Sequence, residues 1–373
     1  MTKIIDGDGH VVEPKTWDDY IEAAFRERAP SIVRDENGLE RVRIDGEVLG
    51  GSRRGPTTLG AGLTPGGFAD PVKRQSLPYD SAHPGGTDPH ARIKDMDAEG
   101  IDVAVLYPSV GLLFGGIKDP QLAVACCRAY NNWLANYCKP YPQRLIGIAA
   151  VPLQDVDAAV TEMRRAVTKL GMRGVFVRPN PYNGRRLDDP AYAPFWTEAQ
   201  ELSCAIGVHE GTALNMPTVG AERYNDFFRL HVISHPLEQK LACMDFTAGG
   251  VLEKFPHLKV AFLESGGGWI CHWLDRLDSH YEKMGFAVPW LKMKPSEYFK
   301  RQCWISFDPD ESTLKATVEV LGPDNIIWAS DYPHFDCTFP GVVKELEEGL
   351  EGLPEEAKRK VMGENAARLY GLV

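Results

Sequence analysis

A chain of 373 residues with 43% apolar and 25% charged side chains can build a large core and needs no disulfide framework. Its net charge of −11 sets it against nucleic acid, whose phosphates call for a basic face, and leaves a small molecule as the expected partner. No basic-then-apolar leader opens the sequence, no apolar run approaches a membrane span, and the eight cysteines form no CxxC pair, so we expect a soluble cytoplasmic protein with reduced thiols.

In chain order, residues 3–9 (KIIDGDG) begin apolar and end in Gly and Asp, which predicts a short buried strand running into a loop. From 12 to 90 the texture becomes Gly- and Pro-rich, with one hairpin-like patch at RVRIDGEVLG. We read 15–90 as an insertion in a single domain spanning 1–373, serving as a lid or a subunit contact. After residue 91 the two periodicities alternate: helix ARIKDMDAEG, strand DVAVLYP, helix 120–138, strand LIGIAAVP, and a helix ending at Gly171. Strand GVFVRP, helix 190–202, strand AIGVHE and a helical stretch through 230–254 follow. Strand KVAFLES, helix 267–284, strand CWISF, helix 311–321, strand NIIWAS and helices near 341–352 and 355–369 complete the chain. The strands are short and continuously apolar, as in a parallel sheet covered on both faces, and eight strand–helix units predict a closed (β/α)8 TIM barrel.

In such a barrel, polar residues at the C-terminal strand ends read as chemistry. Asp8 and His10 end the first strand two residues apart, so extended backbone points both to one face. His209 ends the fifth strand and Asp331 the eighth. Each alone also reads as plain structure: a polar turn, a hydrogen-bonded histidine, a helix cap. Their common address at the mouth makes a set of two imidazoles and two carboxylates suited to Zn²⁺, Mn²⁺ or Fe²⁺. His231 and His235, one helical turn apart, and Glu264, at the end of the sixth strand, are candidates for a second metal.

The stretches IIDGDGHVVEP, DMDAEGIDVAVLYP, RGVFVRPNP, GVHEGT, GGVLEKFPHLKVAFLESGGGW, NIIWASDYPHFD and ENAARLYGL, in this order, resemble the amidohydrolase-related family. That family includes aminocarboxymuconate semialdehyde decarboxylase and the non-oxidative aromatic decarboxylases. The resemblance implies one divalent metal held by Asp8, His10, His209 and Asp331, with Zn²⁺ first on availability and geometry and Mn²⁺ or Fe²⁺ behind it, and a homodimer or larger assembly. Two departures stand out. Ser265 occupies the place of the family's sixth-strand histidine, and Arg178, not a lysine, ends the fourth strand, which speaks against the familiar carbamate-bridged metal pair.

Two reactions fit these ligands. In a hydrolase, Asp331 is the general base for a metal-activated water, and His235 or His334 protonates the leaving group of a small carboxylate or aromatic substrate. In a decarboxylase, Asp331 protonates the carbon that loses carbon dioxide. Ser265 in place of an imidazole favours hydrolysis as the main reading. A non-catalytic ligand-binding barrel is the reading from another class. For the substrate, Arg178 is the candidate carboxylate clamp, alternatively a buried salt bridge, with Asn180 beside it. Glu13 and Trp17, with Ser265, are further pocket candidates, and Tyr107 and Trp304 candidate aromatic walls.

Overall fold

The computed structural model describes residues 3–49, 59–66, 73, 76–211 and 215–372. Strand β1 (Ile5–His10) is followed by β2 (Ser31–Arg34), β3 (Glu40–Ile44) and β4 (Glu47–Val48), a separate antiparallel sheet within the insertion. Seven more strands succeed them: β5 (Val103–Tyr107), β6 (Leu145–Ala150), β7 (Gly174–Val177), β8 (Ala205–Val208), β9 (Lys259–Phe262), β10 (Cys303–Phe307) and β11 (Ile326–Trp328). These seven and β1 pair in parallel in the order β1-β5-β6-β7-β8-β9-β10-β11, and nearly every residue in them is buried. Helices α1 (Pro89–Glu99), α2 (Pro120–Cys138), α3 (Val156–Leu170), α4 (Ala193–Glu201), α5 (Phe227–Phe246), α6 (Trp269–Met284), α7 (Pro295–Gln302) and α8 (Leu314–Leu321) lie in the crossovers. This is the predicted (β/α)8 barrel.

Local chemistry explains the helix boundaries. Asp88, Asp119 and Asp155 cap α1, α2 and α3 by accepting from backbone N–H groups in the first turn. Gly100 and Gly171 end α1 and α3 in the left-handed conformation that only glycine adopts without strain.

The barrel closes at its C-terminal end. There the N–H of Asp331 donates to Asp8 O (3.1 Å) and the N–H of His10 to Tyr332 O (2.7 Å). Beneath this seam the buried Asp6 carboxylate accepts from Ser330 N (2.9 Å) and Ser330 Oγ (2.6 Å), while Arg92 donates to His10 O (2.8 Å). The seam therefore fixes Asp8, His10 and Asp331 relative to one another. Between the strands there is no room to spare: a β-carbon on Gly7 would stand 3.0 Å from Trp328 O and 3.2 Å from Ile327 Cδ1.

The hairpin patch expected in the insertion is β3 with β4, turning at Asp45-Gly46, and the structure adds β2 to it. Strand β2 pairs with β3 over four residues, and its half-exposed SIVR sequence gives no alternating signal. Much of the Gly- and Pro-rich part, residues 50–58, 67–72 and 74–75, lies outside the described residues. Val42, Leu59, Leu63 and Tyr79 nevertheless reach the barrel mouth and wall a cavity there. Among the described residues no helix is long and apolar enough to cross a membrane.

Gly7→Ala is expected to force the seam apart and cost about 1–3 kcal/mol, as overpacking does. A thermal melt of the variant should show the loss, and an unchanged melting temperature would mean that the seam tolerates a wider gap.

Candidate metal centre

Two histidines meet at the mouth. His10 donates Nδ1–H to Pro108 O and His209 donates Nδ1–H to Glu210 O, each at 2.8 Å. A carbonyl only accepts, so each neutral ring carries its proton on Nδ1 and presents a bare Nε2 lone pair. The two Nε2 atoms face each other at 3.3 Å. Carboxylates surround them: Asp331 Oδ1 lies 3.3 Å and Asp8 Oδ1 3.7 Å from His10 Nε2, and Glu264 Oε2 lies 2.9 Å from His209 Nε2. Both imidazoles are fully buried, and Asp8 Oδ1 and Glu264 Oε2 lack any hydrogen-bond partner. Acceptors converging in a buried place need a positive charge between them. The donor set, imidazole nitrogen with carboxylate oxygen, fits a first-row divalent cation.

The electrostatics without a cation are conflicted. Burial, with His334 and His209 nearby, drives the His10 pKa well below its usual value. Burial acts the same way on His209, but the charges of Asp8 and Glu264 outweigh it and raise that ring. Burial also pushes Asp8 well above the ordinary carboxylate range, and Asp331 likewise, with Glu264 and Asp336 adding to it. Glu264 and Asp331 are further set apart by positive φ, 45° and 54°, a region that non-glycine residues seldom adopt. Strained backbone thus turns both carboxylates inward.

Two side chains extend the cluster on either flank. His334 stacks on His10 at 4.0 Å between centroids, donates Nδ1–H to Asp331 Oδ1 (2.8 Å) and meets Ser109 Oγ through Nε2 (2.9 Å). His235, from α5, brings Nε2 to 3.1 Å from Glu264 Oε1, and the His231 ring lies tilted beside it. Two cavities open here. One, about 110 Å³, is mainly apolar, with Leu112, Leu113, Phe227 and Phe335 facing the insertion residues and with His334 and His235 in its wall. The other, about 290 Å³, is lined by Glu264, Asp308, Asp310, Asp331 and Asp336, with no Lys or Arg among its described lining residues.

Most of the expected substrate residues stand elsewhere. Arg178 is no free clamp: it is fully buried, pairs with Glu210 through Nη2–Oε1 at 2.7 Å, and donates Nη1–H to Leu112 O (2.9 Å). Asn180 donates from Nδ2 to Pro217 O (3.1 Å) and Thr218 Oγ1 (3.2 Å), while its Oδ1 is buried without a partner. Glu13 accepts from the backbone N–H groups of Ser109, Val110 and Gly111, so it shapes the loop after β5. Trp17 packs in the core against Phe114 and Trp133, each centroid 6.3 Å away. Tyr107 stacks on the back of His209 (5.5 Å) and bonds Tyr370 Oη (3.0 Å), supporting the ring from below. Trp304 lies second in β10, far from the strand's C-terminal end, beneath the Arg368 guanidinium. None of these six lines either cavity. Ser265 does line the acidic one, but its Oγ is taken up by Gly266 O (3.2 Å) and Trp269 Nε1 (3.2 Å). Unforeseen residues are Glu210, Ser109, Asp308 and Asp336. Asp308 directly follows β10 and Ser109 stands two residues past the end of β5, so the strand-end rule that found Asp331 would also have found them.

Because the Arg178–Glu210 pair is buried, Arg178→Met alone should cost about 3–5 kcal/mol by stranding a carboxylate, and adding Glu210→Met should recover most of it. Denaturant melts of the three proteins give the comparison; equal losses in the single and double variants would contradict a paired role.

A family model described as amidohydrolase matches residues 5–372. The 2-amino-3-carboxymuconate-6-semialdehyde decarboxylase of Dictyostelium discoideum is 29% identical, covering 76% of this chain and 77% of its own. Among solved structures, an amidohydrolase from Mycobacterium avium subsp. paratuberculosis K-10 superposes with a TM-score of 0.82 over 99% of both chains at 23% identity. A 5-carboxyvanillate decarboxylase from Novosphingobium aromaticivorans, complexed with manganese and 4-hydroxy-3-methoxy-5-nitrobenzoic acid, has a TM-score of 0.62 and 26% identity over 77% of this chain and 81% of its own. These relatives favour an enzyme over a non-catalytic barrel. They also favour decarboxylation, the second of the two reactions drawn from the sequence, over hydrolysis, which fits at the level of the family alone. With the model spanning nearly its whole length and the barrel matched end to end, the chain belongs to the amidohydrolase family.

Proposed function

We propose that this protein is a metal-dependent carboxy-lyase acting on a small aromatic or muconate-like acid. The observation that carries the reading is the buried facing pair His10 Nε2 and His209 Nε2, ringed by carboxylates, beside an apolar cavity. In this reading Asp8, His10, His209 and Asp331 hold one divalent cation, and Mn²⁺ takes precedence over Zn²⁺ because a decarboxylase of the same fold carries manganese. When bound, such an ion supplies fixed positive charge for the acidic oxygens of a substrate.

The remaining work falls to the chain. Neither cavity has a Lys or Arg among its described lining residues, so a substrate carboxylate finds its positive partner only at the cluster itself. Phe227, Phe335, Leu112 and Leu113 offer an apolar seat for a ring and exclude water from it, which favours departure of the carboxylate as neutral carbon dioxide with the electron pair of the broken C–C bond left on the carbon. The vacated carbon needs a proton. Asp331 and His334, joined at 2.8 Å, hold one at the cavity wall, and Ser109 fixes the far side of the imidazole. The ground for preferring hydrolysis is the missing sixth-strand imidazole. His235 weakens it, since α5 brings an imidazole to within 3.1 Å of Glu264, the residue before Ser265.

Manganese-loaded protein should release carbon dioxide from at least one acid in a panel of hydroxybenzoates and muconate-like acids, without taking up oxygen from labelled water. Asp331→Asn should lower kcat by roughly 10²–10⁴-fold. Ester, thioester or lactone cleavage with labelled oxygen in the product, and no carbon dioxide from any acid, would overturn the assignment.

A further inference from the structure

We propose that a second divalent cation binds beside the first, between His231, His235, Glu264 and Asp336, with Glu264 shared by the two centres. This goes beyond the single-ion reading above, in which His231, His235 and Glu264 stand beside the first ion without holding one of their own.

His235 has the same orientation logic as His10 and His209. Its Nδ1–H donates to His231 O (3.1 Å), with Ser234 Oγ at 3.0 Å, so the neutral ring presents a bare Nε2. That atom is buried, has no hydrogen-bond partner, and is aimed at Glu264 Oε1, 3.1 Å away. A lone pair facing a carboxylate oxygen at that separation needs something positive between or beside them. The His231 ring lies tilted against the same ring, 4.6 Å between centroids, and places its own Nε2 3.8 Å from Asp336 Oδ2. The donor atoms of His231, His235 and Glu264 all lie within 4.8 Å of one another. A protonated His235 would satisfy Glu264 alone. A divalent cation satisfies His231, His235 and Glu264 together, with Asp336 next to His231, through nitrogen and oxygen donors of the kind that Mn²⁺, Zn²⁺ and Fe²⁺ accept.

Glu264 is placed to serve both centres. Its Oε2 faces His209 (2.9 Å) while Oε1 faces His235, and its strained backbone (φ 45°) aims the carboxylate between the two imidazoles. The cluster stands where the apolar and acidic cavities meet: His231, His235, Glu264 and Asp336 line both. A cation there offsets the carboxylates of the acidic cavity and adds a second positive charge beside the proposed substrate seat. This pair also differs in origin from a carbamate-bridged one, since α5 supplies the histidines and the end of the fourth strand is committed to the Arg178–Glu210 pair.

The test counts metal and does not depend on turnover. Chelator-stripped full-length protein is dialysed against a series of Mn²⁺ concentrations, and bound manganese per folded chain is measured by elemental analysis. Wild type should take up two Mn²⁺ per chain, and His231→Ala and His235→Ala one each. His231 is partly exposed at the cavity edge, so its variant keeps the experiment informative if His235→Ala fails to fold. A wild type that saturates at one, or one that binds two while folded His231→Ala still binds two, overturns the proposal.

Discussion

Two imidazole lone pairs, on His10 Nε2 and His209 Nε2, face each other at 3.3 Å in a fully buried place. In the neutral form each ring keeps its proton on the other nitrogen, which donates to a backbone carbonyl and leaves Nε2 free for the centre. Asp8, Asp331 and Glu264 press further acceptors into the same space. Leaving such groups unpaired in the interior costs several kcal/mol, and burying unpaired charge costs more. A cation at the centre turns this unfavourable arrangement into an attractive one. Most of the mouth reads as scaffolding for it.

That scaffolding is covalently distant and physically contiguous. The closing seam of the barrel sets Asp8 and His10 against Asp331 through paired backbone hydrogen bonds. Asp6, Ser330 and Arg92 brace the seam from below. Tyr107 and Tyr370 support the back of His209 and reach Gly7 of the first strand, tying the two histidine-bearing strands together. Glu13 folds the loop after β5 around its carboxylate, which sets Ser109 against His334. Arg178 and Glu210 neutralise each other one position beyond His209, and Glu210 Oε2 comes within 4.0 Å of His235. Positive φ at Glu264 and Asp331 is the backbone strain that such packing sustains.

Much of this was legible in the sequence, for identifiable reasons. Short apolar strands separated by capped helices announce a parallel barrel because every strand is buried on both sides. Asp8, His10, His209 and Asp331 stand where strands end, so position alone nominated them, and the structure brings all four together. Glu264 was placed with a second metal only, because a strand's alternation cannot foresee that a positive φ will turn its carboxylate toward His209. Arg178 has the right position for a substrate clamp. Its commitment to Glu210 depends on a residue 32 positions away whose orientation the sequence does not reveal. Glu13, Trp17 and Trp304 were drawn to the pocket by nearness in sequence or by residue type. Contacts spanning about a hundred residues, such as Glu13 with the 109–111 loop, decide where they sit. The insertion was least legible: its sheet is short, half-exposed and lacks the periodicity that marks buried strands.

The central claim is that His10 and His209 share a metal ion. Anomalous diffraction from crystals of manganese-loaded protein, collected on either side of the manganese absorption edge, tests it most directly. The account predicts a strong anomalous peak between His10 Nε2 and His209 Nε2, within reach of Asp8 and Asp331. A fully loaded crystal with no anomalous density between those two nitrogens would contradict it.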